Sequence, residues 1–115
     1  MASTPLTPIV SAFDLTTAWQ EIYKAEGDIL RVGIDAAVFN NYSALTASYS
    51  VRLIQSGVST ILNEIITDSD IRAGANNLAS AMIGQALNLD GSIEAKASAN
   101  SSISIAAITA TIVIS

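Results

Sequence analysis

The sequence predicts an all-β protein: a single β-sandwich, jelly-roll-like or immunoglobulin-like, with an extended N-terminal arm. Three observations point there. Apolar residues recur with a period of two over several short runs. Turn residues return every ten residues or so, as they do in sandwiches and barrels. The last stretch, SIEAKASANSSISIAAITATIVIS, alternates apolar and polar residues through most of its length. With 115 residues the chain suits one compact domain, here residues 14–115, preceded by an arm over residues 1–13.

The arm, MASTPLTPIV and onward, contains Pro5 and Pro8, which favour extended backbone over helix. It has no basic residue and no long apolar core, so it does not read as a signal peptide. Trp19 to Lys24 reads as a short strand. Ala25-Glu26-Gly27-Asp28 is a turn with glycine where a positive φ is easiest. In Ile29 to Phe39, Leu30, Val32, Ile34, Ala36 and Val38 share one face, and Arg31, Gly33 and Asp35 the other. Asn40 to Ser43 is loop. In Thr46 to Gln55, Tyr49, Val51 and Leu53 alternate with Ser48, Ser50 and Arg52, and Ser56-Gly57 punctuates.

The middle reads two ways. Val58, Ile61, Leu62, Ile65 and Ile66 have helical spacing, although alternation also fits. Ala79 to Leu87 suits a helical turn. The prediction therefore admits one short helix near 58–66 or 79–87, and two helices there would make the fold α+β. Asp68-Ser69-Asp70 reads as an acidic turn between strands.

The tail decides the class. A membrane helix needs about 20 predominantly apolar residues. After Lys96 there is no charge, but Ser98, Asn100, Ser101, Ser102, Ser104, Thr109 and Thr111 interrupt the run, which excludes a lipid-facing helix. Ile93, Ala95, Ala97 and Ala99 alternate with Ser92, Glu94, Lys96 and Ser98. Asn100-Ser101-Ser102 supplies turn chemistry. Ile103 and Ile105 resume the alternation. It slips at Ala106-Ala107, as at a β-bulge, and continues through Ile108, Ala110, Ile112 and Ile114. The tail thus reads as the second strand of a hairpin, with Asp90-Gly91 at the hairpin's mouth.

Composition narrows the function. There is no cysteine and no histidine, so thiol chemistry is excluded and the commonest general base and metal ligand are missing. No Gly-x-Ser-x-Gly elbow or phosphate loop occurs, and the chain does not read as an enzyme or as a carrier of a cofactor. Asp68 and Asp70 could open a calcium loop, but Gly74 is one position late and Ala79 stands where an EF-hand needs glutamate. The net charge of −5, with five scattered basic residues, argues against nucleic-acid binding. Charged residues make up only 13% of the chain. That is about half the usual share, and suits either surface that meets other protein or strands faced with Ser and Thr.

The order of segments also resembles a known class. DLTTAWQEIY precedes a Gly turn and an apolar strand. Then come ASYSVRLIQSG, the turn DIRAG, and finally ALNLDGSIEAKASANSSISIAAITATIVI. This resembles small β-sandwich virion proteins of tailed bacteriophages, of the head decoration or cement type. Leu15, Thr16, Thr17 and Trp19 match a Leu-Thr-Thr-x-Trp-like first strand. Ile71, Ala73 and Gly74 match an Ile-Pro-Ala-Gly-like turn, with Arg72 in place of proline. Leu89, Asp90, Gly91, Ile93, Ala95, Lys96, Ala97 and Ser98 match the final-strand signature, with the Gly-Asp order reversed. The match runs from Asp14 to Ile114.

The resemblance implies a virion location and a structural role on a shell of major capsid protein or beside other virion proteins. It also implies self-association as a trimer or dimer. A tail, neck or fibre component is the alternative. A carbohydrate-binding adhesin is another, and it needs an exposed platform of Trp19, Tyr23 and Tyr42. The residues expected to meet a partner are Pro5, Leu6, Pro8, Ile9 and Val10 in the arm, and Ile112, Val113 and Ile114 on the exposed edge of the final hairpin. An unpaired edge can add to another chain.

Overall fold

A computed structural model describes residues 2–55 and 63–115. Among them nine strands form two antiparallel sheets: β1 (Ala2–Asp14), β2 (Gln20–Lys24), β3 (Ile29–Asn41), β4 (Ala47–Ile54), β5 (Glu64–Ile71), β6 (Asn76–Leu78), β7 (Ala86–Asn88), β8 (Ser92–Ala97) and β9 (Ile103–Ile114). One sheet runs β1-β9-β3, with β6 and β7 both on the far side of β3. The other runs β2-β8-β4-β5. The fold is the all-β sandwich the alternation predicts. No helix among the described residues is long and apolar enough to cross a membrane.

The helix expected near 79–87 is one 3-10 turn, Ser80–Met82, which buries Met82. The candidate at 58–66 lies largely outside the described residues, and Glu64 to Ile66 begin β5. Asp68-Ser69-Asp70 is not a turn. It lies inside β5, where a bulge opposite Ser50 takes up the extra residue. Asp68 has φ 45°, its N–H donates to Ser50 Oγ at 3.0 Å, and that hydroxyl sits 3.4 Å from its carboxylate. Short polar side chains tolerate this conformation because they bond locally.

The final hairpin is also corrected. β8 and β9 do not pair: β8 lies between β2 and β4, and β9 between β1 and β3. Residues 98–102 cross from one sheet to the other. Ser102 Oγ donates to the Ala99 carbonyl at 2.6 Å, and Asn100 Oδ1 accepts the Thr17 N–H at 3.0 Å. Alternation gives the inner face of each strand but not the sheet that holds it. Of the consecutive described strands, only β4 and β5, and β6 and β7, belong to the same sheet.

Phase slips set which face is buried. In β9 the slip falls where the sequence places it: Val38 pairs with Ala107 and Phe39 with Ile105, so Ala106 bulges. Ile103, Ile105, Ile108 and Ala110 are buried as a result. In β3 the predicted face holds only for Val32 and Ile34. A bulge between Ile34 and Ala36 turns Ala37, Phe39 and Asn41 inward instead, and another irregularity leaves Leu30 exposed. Residues 1–13 were expected as a separate arm. Residues 2–14 are extended, but they lie along β9 as β1, with register shifts around Thr4–Thr7 and Pro8–Val10. Strand backbone needs partners, and β9 supplies them wherever the prolines do not interrupt.

Several contacts join the two sheets, among them an aromatic stack and a buried amide. Phe39 of β3 stacks on Tyr49 of β4, with centroids 4.2 Å apart and planes 17° from parallel. Asn41, fully buried at the end of β3, donates to the carbonyls of Leu45 and Ile71, each at 2.8 Å, and accepts from the Ser43 N–H and hydroxyl. One side chain thus joins β3, the following loop and the end of β5.

Replacing Asn41 with Ala takes that donor from the buried Ile71 carbonyl and from the part-buried Leu45 carbonyl, which keeps the Ser43 hydroxyl. It is expected to lower unfolding stability by about 2–3 kcal/mol, read from urea melts, and an unchanged midpoint would refute the role. Burial raises the pKa of Tyr23 and, outweighing a hydrogen bond with Ser69, that of Tyr49 above the ordinary 10.0. Their folded-state protons are held more tightly, so this stability is complete below pH 10.0 and is lost as pH rises through the folded values. Phenolate absorbance should develop late in the native protein and at the free-tyrosine value after unfolding. Matching titrations in both states would refute it.

Candidate partner-binding ribbon and the tryptophan cluster

The two sheets differ in length. β1, β3 and β9 have 12 or 13 residues, against 5 to 8 in the other sheet. Thirteen residues span about 40 Å, and the molecule's longest dimension is 46 Å. The β1-β9-β3 ribbon therefore runs past the core. Full burial along β9 stops at Ala110, Thr111 to Ile114 are half-buried, and Ala2 to Leu6 are exposed.

This ribbon brings the sequence-predicted partner residues together. Ala2 pairs with Ile114, Ser3 with Val113 and Thr4 with Ile112, and the Pro5–Val10 stretch continues alongside the preceding part of β9, with Thr7 opposite Ala110 and Val10 opposite Ile108. Their environments differ. Val10 is buried, and Ile9 packs partly on the core. Pro5 and Pro8 are exposed, and Leu6 is 69% exposed. Leu6 has φ 52°, and its N–H reaches across to Asp35 Oδ2 of β3 at 3.2 Å. The same oxygen accepts from Thr111 Oγ1 at 2.9 Å.

Ile112, Val113 and Ile114 are not on an open edge. Each is flanked by β1 on one side and β3 on the other. The open edge belongs to β1. Sequence reasoning also missed Leu30, Asn88 and Leu89 at this end. Leu30, Arg31, Asn88 and Val113 line a shallow hollow of about 370 Å³, and Leu89 is exposed. The signal was weak, because Leu30 fits the inward alternation of its strand until the irregularity beside it is known.

The carbohydrate platform does not assemble. Arg52 lies over the Trp19 ring, 4.1 Å from its centroid, and Lys96 Nζ is 4.9 Å away. Arg52 also bonds Glu94 Oε1 through Nε at 2.7 Å and Nη2 at 2.6 Å. Tyr23 packs on the core. Tyr42 is exposed elsewhere, beside the start of β9, and donates its hydroxyl to Asp14 Oδ1 at 2.6 Å. That bond is the leading cause of its raised pKa. Trp19 thus serves to clamp the β1–β2 connection onto the outer face of the shorter sheet. Replacing Arg52 with Ala is expected to cost about 1–2 kcal/mol and to shift Trp19 fluorescence to the red. Unchanged emission would mean the ring is held by other contacts.

No family model matches the chain, and no curated protein matches it. Among solved structures it is similar to a chain in the structure of infectious bursal disease virus Gx strain. Identity there is 14% over 98% of this chain and 32% of that one, with a TM-score of 0.50. It is equally similar to a chain in the structure of the Gt strain of the same virus, at 14% identity over 98% and 33%, with a TM-score of 0.50. The chain spans about a third of the length of these neighbours. The likeness is one of fold: these antiparallel sheets match a β-sandwich portion of a longer viral chain.

Proposed function

We propose that this chain is a structural virion protein, best read as a decoration or cement subunit that binds and stabilises the capsid shell of a tailed phage. The observation that carries the reading is the projecting β1-β9-β3 ribbon, which presents Pro5, Leu6 and Pro8 outside the core. Two further features support it. The strand and turn signatures from Asp14 to Ile114 resemble those of such proteins, and the fold neighbours come from structures of a virus.

A shell subunit needs a rigid body and surfaces that meet protein at more than one place. The sandwich supplies the body. The ribbon supplies one surface. At the other end of β3, Leu45 is 76% exposed beside a hollow of about 280 Å³ between the β3–β4 and β8–β9 connections. Exposed apolar groups at separated points suit contact with the major capsid protein on one side and with sister subunits on the other.

The test is immunogold electron microscopy of particles purified from the source. Dense label over the head is the expected result. Label confined to the tail or its tip would replace the cement role with a tail, neck or fibre role. Particles that carry no label would overturn the virion reading.

A further inference from the structure

We propose that β1 is an exchanged strand: residues 2–11 leave β9 of their own chain and pair with β9 of a second copy, pivoting at Ala12. This rests on the self-association contained in the virion reading and names the element that performs it.

The pivot is marked by a change in anchoring. Everything just after it is fixed. Leu15 is fully buried and its N–H donates to the Ile103 carbonyl at 2.9 Å. The Thr16 carbonyl accepts from Ala97 at 2.8 Å. Asp14 receives the Tyr42 hydroxyl at 2.6 Å. Before it, residues 2–11 are held mainly by β9, their one paired neighbour among the described strands, with the Leu6 N–H on Asp35 and Ile9 packed partly on the core; only Val10 is buried.

Ala12 itself sits at φ 51°. In that conformation an alanine Cβ crowds its own backbone, so the closed form stores strain at this residue. Exchange relaxes it. The β1–β9 ladder, the Val10 contact and the Leu6–Asp35 bond are all recovered between chains, because the second copy offers an identical β9 and Asp35. What changes is the pivot, and it changes toward an ordinary φ. A strained hinge beside a terminal strand with one paired neighbour is the usual condition for exchange. The vacated β9 edge accepts the neighbour's strand in turn, so the exchange closes on itself.

The chain has no cysteine, so introduced thiols report cleanly. Ser11 and Ala107 face each other in register. The S11C/A107C double variant is assembled, bridged with a short thiol-reactive linker and run on a denaturing gel. S11C and A107C single variants, unfolded and refolded together, are treated the same way. Exchange predicts covalent multimers from the double variant and a covalent heterodimer from the mixture. Ala12→Gly accepts positive φ without strain, and should shift the balance about fivefold toward monomer in light scattering.

A bridge confined within single chains, in a preparation that light scattering shows to be oligomeric, would overturn exchange and leave self-association standing. A monomer at every concentration would overturn both. If the double variant does not fold, the mixed single variants decide the matter alone. Virion membership is read separately by the gold label.

Discussion

Strand β9 is the constraint on which the rest of the longer sheet depends. It is paired along nearly its whole length on both sides, by β1 and by β3, and those two strands do not pair with each other. Without it the sheet has no centre. Its sequence follows from that position. A strand flanked on both sides and packed on one face has little room for charge, and none occurs after Lys96. β-branched residues fill the inner face, and on the outer face Thr111 reaches Asp35. β1 pairs with β9, its most distant partner along the described chain. That demands long loop closures, so the fold belongs among the slow, non-local ones.

The second organising feature is how the chain changes sheets. Most connections cross the sandwich, so each turn must satisfy its backbone at an edge of the core. Small polar side chains do this work. Asn41 bonds the carbonyls of Leu45 and Ile71, Ser50 takes the Asp68 N–H, Ser98 Oγ takes the Ser48 N–H, and Ser102 holds the Ala99 carbonyl. The scarcity of charge therefore has a structural account. Several of the hydroxyls that replace charge bond inward, to bulges and turns, rather than lying in wait for a partner. The apolar residues left at the ribbon and beside Leu45 are the part of the surface that this accounting does not absorb.

The legible parts of the fold share one property: they depend on residues close in sequence. The period of two in β4, β8 and β9 was readable, as was the slip at Ala106, because Ile105 and Ile108 record both phases. Gly27 takes the positive φ its turn suggests, at 72°. The bulge in β3 was not readable, since Ala36 and Ala37 are alike and either can face inward. Sheet membership was not readable either, because β8 and β9 carry the same alternation in different sheets. Of the expected partner residues, Ile112 to Ile114 lie between β1 and β3 rather than on an open edge. The sequence of β9 says that it is a strand and is silent on how many neighbours it has.

The exposed edges of the sandwich bear on how such a subunit can join others. The edge of β1 carries Pro5 and Pro8, two register shifts, and positive φ at Leu6 and Ala12. Each of these interrupts the even row of donors and acceptors that an incoming strand would need. The free edge of β5 bulges at Asp68 and presents Glu64, Asp68 and Asp70, and β2 is only five residues long. These three edges resist simple strand addition, and the fourth, beyond β3, is made only of the three-residue strands β6 and β7. Adding a strand to an edge has no natural stopping point. Replacing one strand with its identical counterpart consumes the edge it fills and stops when every copy has given and received. The β1 exchange proposed above is association of the second kind.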